Sequence, residues 1–197
     1  MTNTHTKTLK LAQMAILIAL LAVLTFTPLG FIMVPPVSIT LMHIPVIIGA
    51  VMMGPVEGGI LGLAFGIFSM IKASTAAVSP VDMAFSPFLS DNPVASVVLC
   101  ILPRILLGVI AGGLYLSTKY ALLKGLKRDV LATGVTAVAA SFCHTALVMG
   151  LLWGLFRALP LRNVLLTIVS VNSVLEMLAA AVLVTAVCKP LKHVLQR

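Results

Sequence analysis

Arg104, His144, Asn172 and Glu176 are the residues whose types and positions suit binding chemistry. Each stands in a long apolar stretch, where an ionisable or amide side chain is costly and has to face a partner, a cavity or a bundle interior. Asn172 and Glu176 are four residues apart and so share a helix face. One reading makes all four packing devices, with an Arg104–Glu176 ion pair and with His144 and Asn172 as hydrogen-bond glue between helices. The other makes them a pocket in which guanidinium and carboxylate meet while the amide and imidazole bind polar groups of a ligand. Four such groups from three apolar segments exceed what packing needs, and that favours the pocket.

Other candidates weigh less. His43, two residues before Pro45, reads as a histidine satisfied by a neighbouring backbone carbonyl rather than as a ligand contact. The methionines are mostly core filler, with Met83, in the longest connection, the one expected to touch a ligand. Trp153, Phe156 and Arg157 resemble an interfacial anchor. Enzyme motifs are missing: there is no His-Glu-x-x-His, no Gly-x-Ser-x-Gly and no phosphate-binding glycine loop. Without a nucleotide site, active pumping by this chain would have to borrow an ATPase.

The elements that position these residues are membrane spans. Sixty per cent of the residues are hydrophobic and 9% charged, and the mean hydropathy is +1.18. Such a composition describes a polytopic integral membrane protein. Its 197 residues leave room for about six spans of ~20 residues with short loops. The net charge of +8 does not point to nucleic acid, because the basic residues lie at span ends and no basic patch interleaves with aromatics. Cys100, Cys143 and Cys188 fall inside spans and read as small buried hydrophobes. The first apolar stretch is too long for a signal-peptide core and is expected to remain as a span.

The expected spans form one domain and cover about 9–27, 38–53, 57–72, 94–118, 130–156 and 163–188. Spans 2 and 3 are the unusual pair. The segment from Ser38 to Gly66 is apolar yet broken by Pro45, the Gly54-Pro55 turn and glycines at 58, 59, 62 and 66. Short, Pro/Gly-interrupted membrane helices point toward transport or ligand binding. Glu57, in the first turn of span 3, suits the positive end of a helix dipole. In span 1, Ala12, Ala15, Ala19 and Ala22 recur at intervals of three, four and three, making a flat face for another helix.

Two connections are apolar. Residues 28–37 carry three prolines and no charge, and residues 73–93 mix prolines with Met83, Phe85, Phe88 and Leu89. The second exceeds the ~12–15 residues beyond which loops tend to be lids or binding loops. With six spans, Lys7, Lys10, Lys119, Lys124, Lys127, Arg128, Lys189, Lys192 and Arg197 gather on the side of both termini, against Lys72, Arg157 and Arg162 opposite. The positive-inside rule puts both termini in the cytoplasm of a cell-membrane protein, with the two apolar loops outside.

On these features the chain resembles the substrate-binding S components of energy-coupling factor (ECF) vitamin transporters. The motifs are the alanine face, MHIPVIIGAVMMGPVEGGILGLAFG (42–66), LPRILLGVIAGGLY (102–115), HTALVMGLLWGLF (144–156) and VNSVLEMLAAAVL (171–183). They look most like the pantothenate branch. The resemblance implies an all-α bundle of six transmembrane helices and a high-affinity vitamin-binding subunit of an ABC-type importer, itself not an enzyme and without a cofactor. Its implied partners are a membrane T subunit, docked on Ala12, Ala15, Ala19 and Ala22, and two cytoplasmic ATPases. It further implies a vitamin held near the outer surface under the two apolar loops, with Arg104, Asn172 and Glu176 at the family's polar positions in spans 4 and 6. His144-Thr145 stands where the pantothenate-like proteins carry Asn-Thr. A small anionic vitamin is the expected ligand, pantothenate first and another B-vitamin or precursor second. The competing class is an integral membrane enzyme or assembly factor.

Overall fold

Residues 2–34, 37–77, 80–122, 126–156, 166 and 170–195 are described by the computed structural model. In chain order they form α1 (Thr2–Phe26), a 3-10 turn (Pro28–Gly30), strands β1 (Phe31–Val34) and β2 (Val37–Thr40), and helices α2 (Ile44–Met53) and α3 (Pro55–Ala76). The one-turn α4 (Pro80–Met83) follows, then α5 (Pro93–Leu122), α6 (Leu126–Phe156) and α7 (Val171–Leu195). Among the described residues, α1, α3, α5, α6 and α7 are long and apolar enough to cross a membrane.

The apolar stretch after α1 is not a plain loop. β1 and β2 pair antiparallel, with Phe31 opposite Thr40 and Val34 opposite Val37. The ribbon claims residues 38–40 from the expected second span, whose helix begins only at Ile44. Alternating β-branched residues (Val37, Ile39) suit a strand, and Pro45 at the second helical position suits a helix start. At ~1.5 Å per residue, the ten residues of α2 cover about half of a ~30 Å hydrocarbon core. Ile44 through Val51 are all buried, so α2 is the centre of the bundle rather than one of its walls. Its neighbours in the core include Leu21, Leu61, Leu107, Ala137, Ala180 and Val184.

Gly54 turns α2 into α3 with φ 118°, a backbone region that side chains rarely adopt. From there α3 lies directly on α5. A Cβ on Gly58 would come within 2.6 Å of the Gly108 carbonyl oxygen, and one on Gly66 within 2.9 Å of the Cys100 carbonyl oxygen. On Gly62 it would collide with the Arg104 backbone, and on Gly112 it would come within 2.5 Å of Pro55. The antiparallel register 58–108, 62–104, 66–100 fixes how far Arg104 stands along the bundle. Gly150 and Gly154 have nothing within 4 Å of the added atom, so their similar spacing marks no helix contact among the described residues.

Polar ties close the end of the bundle nearest the N-terminal helix start. Lys10 Nζ pairs with Glu57 at 2.7 Å, joining α1 to the first turn of α3. Lys192 of α7 pairs with Asp129 of α6 at 3.1 Å, and Tyr115 of α5 donates its hydroxyl proton to the same carboxylate at 2.5 Å. α7 begins at Val171, some residues later than the expected sixth span; residues 157–165 and 167–169 of that region, with Arg157 and Arg162, lie outside the described ones. Ser170 Oγ accepts from the Ser173 N–H at 3.3 Å, an N-terminal cap that explains the start.

Candidate functional site

Opposite that closed end, α5, α6 and α7 converge with the ribbon on a cavity of about 250 Å³. Arg104, His144, Asn172 and Glu176 all line it. The four residues singled out by type and placement therefore meet, as the pocket reading requires. Met83 does not line the cavity; it is exposed at the end of α4. The alanines do not line it: Ala12, Ala15 and Ala19 are exposed on α1 and Ala22 is half-buried.

Arg104 is held by an unusual local device. Pro103 has no N–H, so the carbonyl of Leu99 lacks its normal donor in α5. Arg104 Nη1 donates to that carbonyl at 2.7 Å. The guanidinium also meets two aromatic rings, its carbon 5.1 Å from the Phe85 centroid and 5.6 Å from that of Phe65. Arg104 is only 8% exposed, and its Nε has no hydrogen-bond partner among the described residues. No ion pair with Glu176 forms among them either, so the packing reading of these two residues does not hold. Glu176 instead accepts from the backbone N–H of Thr40 at 2.8 Å, which ties the end of β2 to α7 over the cavity.

The long connection is pinned to the same region. Ser96 Oγ donates to the Ala84 carbonyl at 2.7 Å, and Cys100 Sγ donates to that of Phe85 at 3.0 Å. Ser74 and Ser86 hydroxyls meet at 2.9 Å. These bonds seat Phe85 over the guanidinium, with Ala84 packed on Leu99 and Leu152. The three cysteines are free, Cys100 and Cys188 buried as expected and Cys143 half-buried.

The residue types alone set His43 aside and did not single out Phe65 or Thr40, yet all three also line the cavity. Phe65 follows Gly62 by three residues, on the helix face that meets Arg104, and that spacing was the available signal. His43 sits at the start of α2, where the helix begins inside the bundle rather than at its surface. Its Nε2 is buried without a partner among the described residues, as are His144 Nδ1, Asn172 Oδ1 and Ser173 Oγ. The expectation that a backbone carbonyl satisfies His43 is not met at Nε2. Buried polar atoms left open at one cavity are what a polar ligand would complete.

The family described as "ECF transporter, substrate-specific component" matches residues 9–188. The chain belongs to it. A pantothenic acid transporter from Lactococcus lactis subsp. cremoris (strain MG1363), PanT, is 32% identical over 189 residues, covering 89% of this chain and 90% of that protein. Among solved structures, the S component for biotin from an ECF-type ABC transporter superposes with a TM-score of 0.62, at 18% identity over 98% of this chain and 95% of that one. ThiT from Listeria monocytogenes gives 0.60, at 16% identity over 94% and 96%. These two likenesses carry the fold. This S component is thus a multi-pass membrane protein of the transporter class, as the sequence led us to expect.

Proposed function

We propose that this S component binds pantothenate at the outer side of the cell membrane and hands it to an energising module made of a T subunit and two cytoplasmic ATPases. One observation carries the anionic ligand: a buried guanidinium, braced by a carbonyl and two rings, with no carboxylate partner among the described residues. A buried charge without a counter-charge is costly, and a ligand carboxylate would offset that cost. Pantothenate joins one carboxylate to an amide and two hydroxyls, which suits Arg104 together with the open polar atoms of His144, Asn172 and Ser173. The pantothenic acid transporter among its relatives supports the same substrate.

Glu176 takes a positioning role in this reading. Its bond to Thr40 holds the ribbon at the cavity wall, while Phe85 of the other connection packs on the Arg104 guanidinium. The exposed alanines of α1 are the docking face for the T subunit, both termini are cytoplasmic, and Met83 is left as a contact at the outer rim. Calorimetric titration of the detergent-purified protein with a panel of B-vitamins tests the substrate. Stoichiometric pantothenate binding is the expected result. Binding of a different vitamin moves the substrate within the family, and silence across the panel overturns the reading.

A further inference from the structure

Arg104 does not stand alone in the cavity wall. Beyond Phe65, whose ring lies 5.6 Å from its guanidinium carbon, the His144 ring follows at 6.2 Å and the His43 ring at 6.5 Å. The two imidazoles stack at an interplanar angle of 29°. The row runs from a cation at Arg104 to two imidazole rings with open nitrogens, so its far end offers ring nitrogens rather than a guanidinium. His43 is 5% exposed and its Nε2 lacks a partner, while Nδ1 of His144 is open beside it.

The backbone explains why His43 is there. The Leu41 N–H bonds to the Gly30 carbonyl at 2.9 Å, closing the base of the ribbon, and the His43 carbonyl accepts from Ile47 at 3.2 Å as α2 starts. The corner between ribbon and helix is therefore fixed on both sides, and it presents the imidazole at the depth of the cavity. Packing alone would be served better by an apolar ring, since a buried polar atom without a partner is destabilising.

We propose that His43 is a ligand-specificity residue, whose Nε2 hydrogen-bonds a hydroxyl of the substrate at the end remote from its carboxylate, with His144 beside it. This rests on the anionic-vitamin reading above and adds what the far end of the cavity recognises: a hydroxyl, which donates and accepts and so suits either form of a neutral imidazole. A site with a buried polar group discriminates strongly against an analogue lacking the matching group, because that group is then left unpaired.

The test compares pantothenate with an N-acyl β-alanine of the same carbon skeleton but without hydroxyls, titrated into the wild-type protein, His43→Phe and His43→Gln. Phe keeps the ring and the stack on His144 but loses the nitrogen, and Gln carries an amide near the Nε2 position. The wild type is expected to prefer pantothenate by about tenfold to a hundredfold, and His43→Phe to lose most of that preference. His43→Gln is expected to recover it in part, while the affinity for the deoxygenated analogue stays within about threefold in all three proteins. A preference unchanged in His43→Phe overturns the assignment while leaving pantothenate as the substrate. A wild type that ignores pantothenate overturns both. Equal loss of both ligands in both variants means that His43 only supports the fold, and the assignment falls.

Discussion

Arg104 Nη1 donates a 2.7 Å hydrogen bond to the carbonyl of Leu99, the acceptor that Pro103 leaves free in α5. The Pro-Arg pair is thus one device: the proline opens a backbone acceptor five residues before the arginine, and the side chain folds back to take it. Pro103→Ala would return that carbonyl to the helix ladder. A helix-interior proline costs about 3 kcal/mol, against roughly 0.8 kcal/mol for each buried methylene that the alanine lacks. The variant is therefore expected to melt higher without ligand, yet to bind pantothenate about fivefold to tenfold more weakly because the guanidinium loses its brace. Thermal melts and calorimetry on the same sample check the opposite signs. Weaker binding with a lower melting point would mean that Pro103 matters through packing alone.

Arg104 itself should separate charge from shape. Arg104→Ala is expected to lose about a hundredfold or more in affinity for pantothenate, the range seen when one partner of a desolvated charge pair is truncated. For the alcohol analogue, with a hydroxymethyl in place of the carboxylate, the same variant should lose far less. Arg104→Lys keeps the charge but not the planar group that packs on Phe65 and Phe85, and it should recover only part of the loss. Unchanged affinity in Arg104→Ala would remove Arg104 as the carboxylate anchor.

The glycines divide by what stands opposite them. A side chain at Gly62 would meet the Arg104 backbone, which cannot swing away, whereas Gly150 faces open space among the described residues. Gly62→Val is expected to destabilise by more than the ~1–3 kcal/mol of ordinary overpacking, and with it to displace Arg104 from the cavity. Gly150→Ala should be neutral or stabilise by about 0.5–1 kcal/mol, the usual gain on removing a helical glycine. Thermal unfolding in detergent decides both. A folded, fully binding Gly62→Val would contradict the α3–α5 contact.

Much of this was legible in the sequence because membrane cost filters polar residues. In a soluble chain Arg104, His144, Asn172 and Glu176 would be unremarked among many others; in apolar spans each has to be explained, and all four do line the cavity. That Arg104 and Glu176 do not pair was not legible, since helix periodicity gives a face but no distance across a bundle. The ribbon was hidden for a related reason. Proline-rich apolar residues 28–37 give no strand alternation long enough to read, and β2 was absorbed into a span by its hydropathy. His43 was set aside because its setting depends on that ribbon: in a second span starting at 38 it falls within the helix instead of at the corner where the cavity lies. Gly58, Gly62 and Gly66 share a four-residue spacing with Gly150 and Gly154, and only tertiary contact separates the two sets.

The alanine face of α1 leaves one prediction about transport rather than binding. Ala12, Ala15 and Ala19 are exposed, so they do not serve packing within the described chain. Lipid tails contact large side chains as readily as small ones, but a second helix approaches closely only where side chains are small. Neighbouring Leu11 and Ile16 are 67% and 69% exposed, which gives an approaching helix apolar flanks around the flat strip. Ala15→Leu and Ala19→Leu are therefore expected to bind pantothenate as the wild type does and to abolish uptake by cells that supply the energising module. Co-purification of that module with the variants should fall in parallel. Uptake that survives both substitutions would leave the strip facing lipid and move the docking surface elsewhere on the bundle.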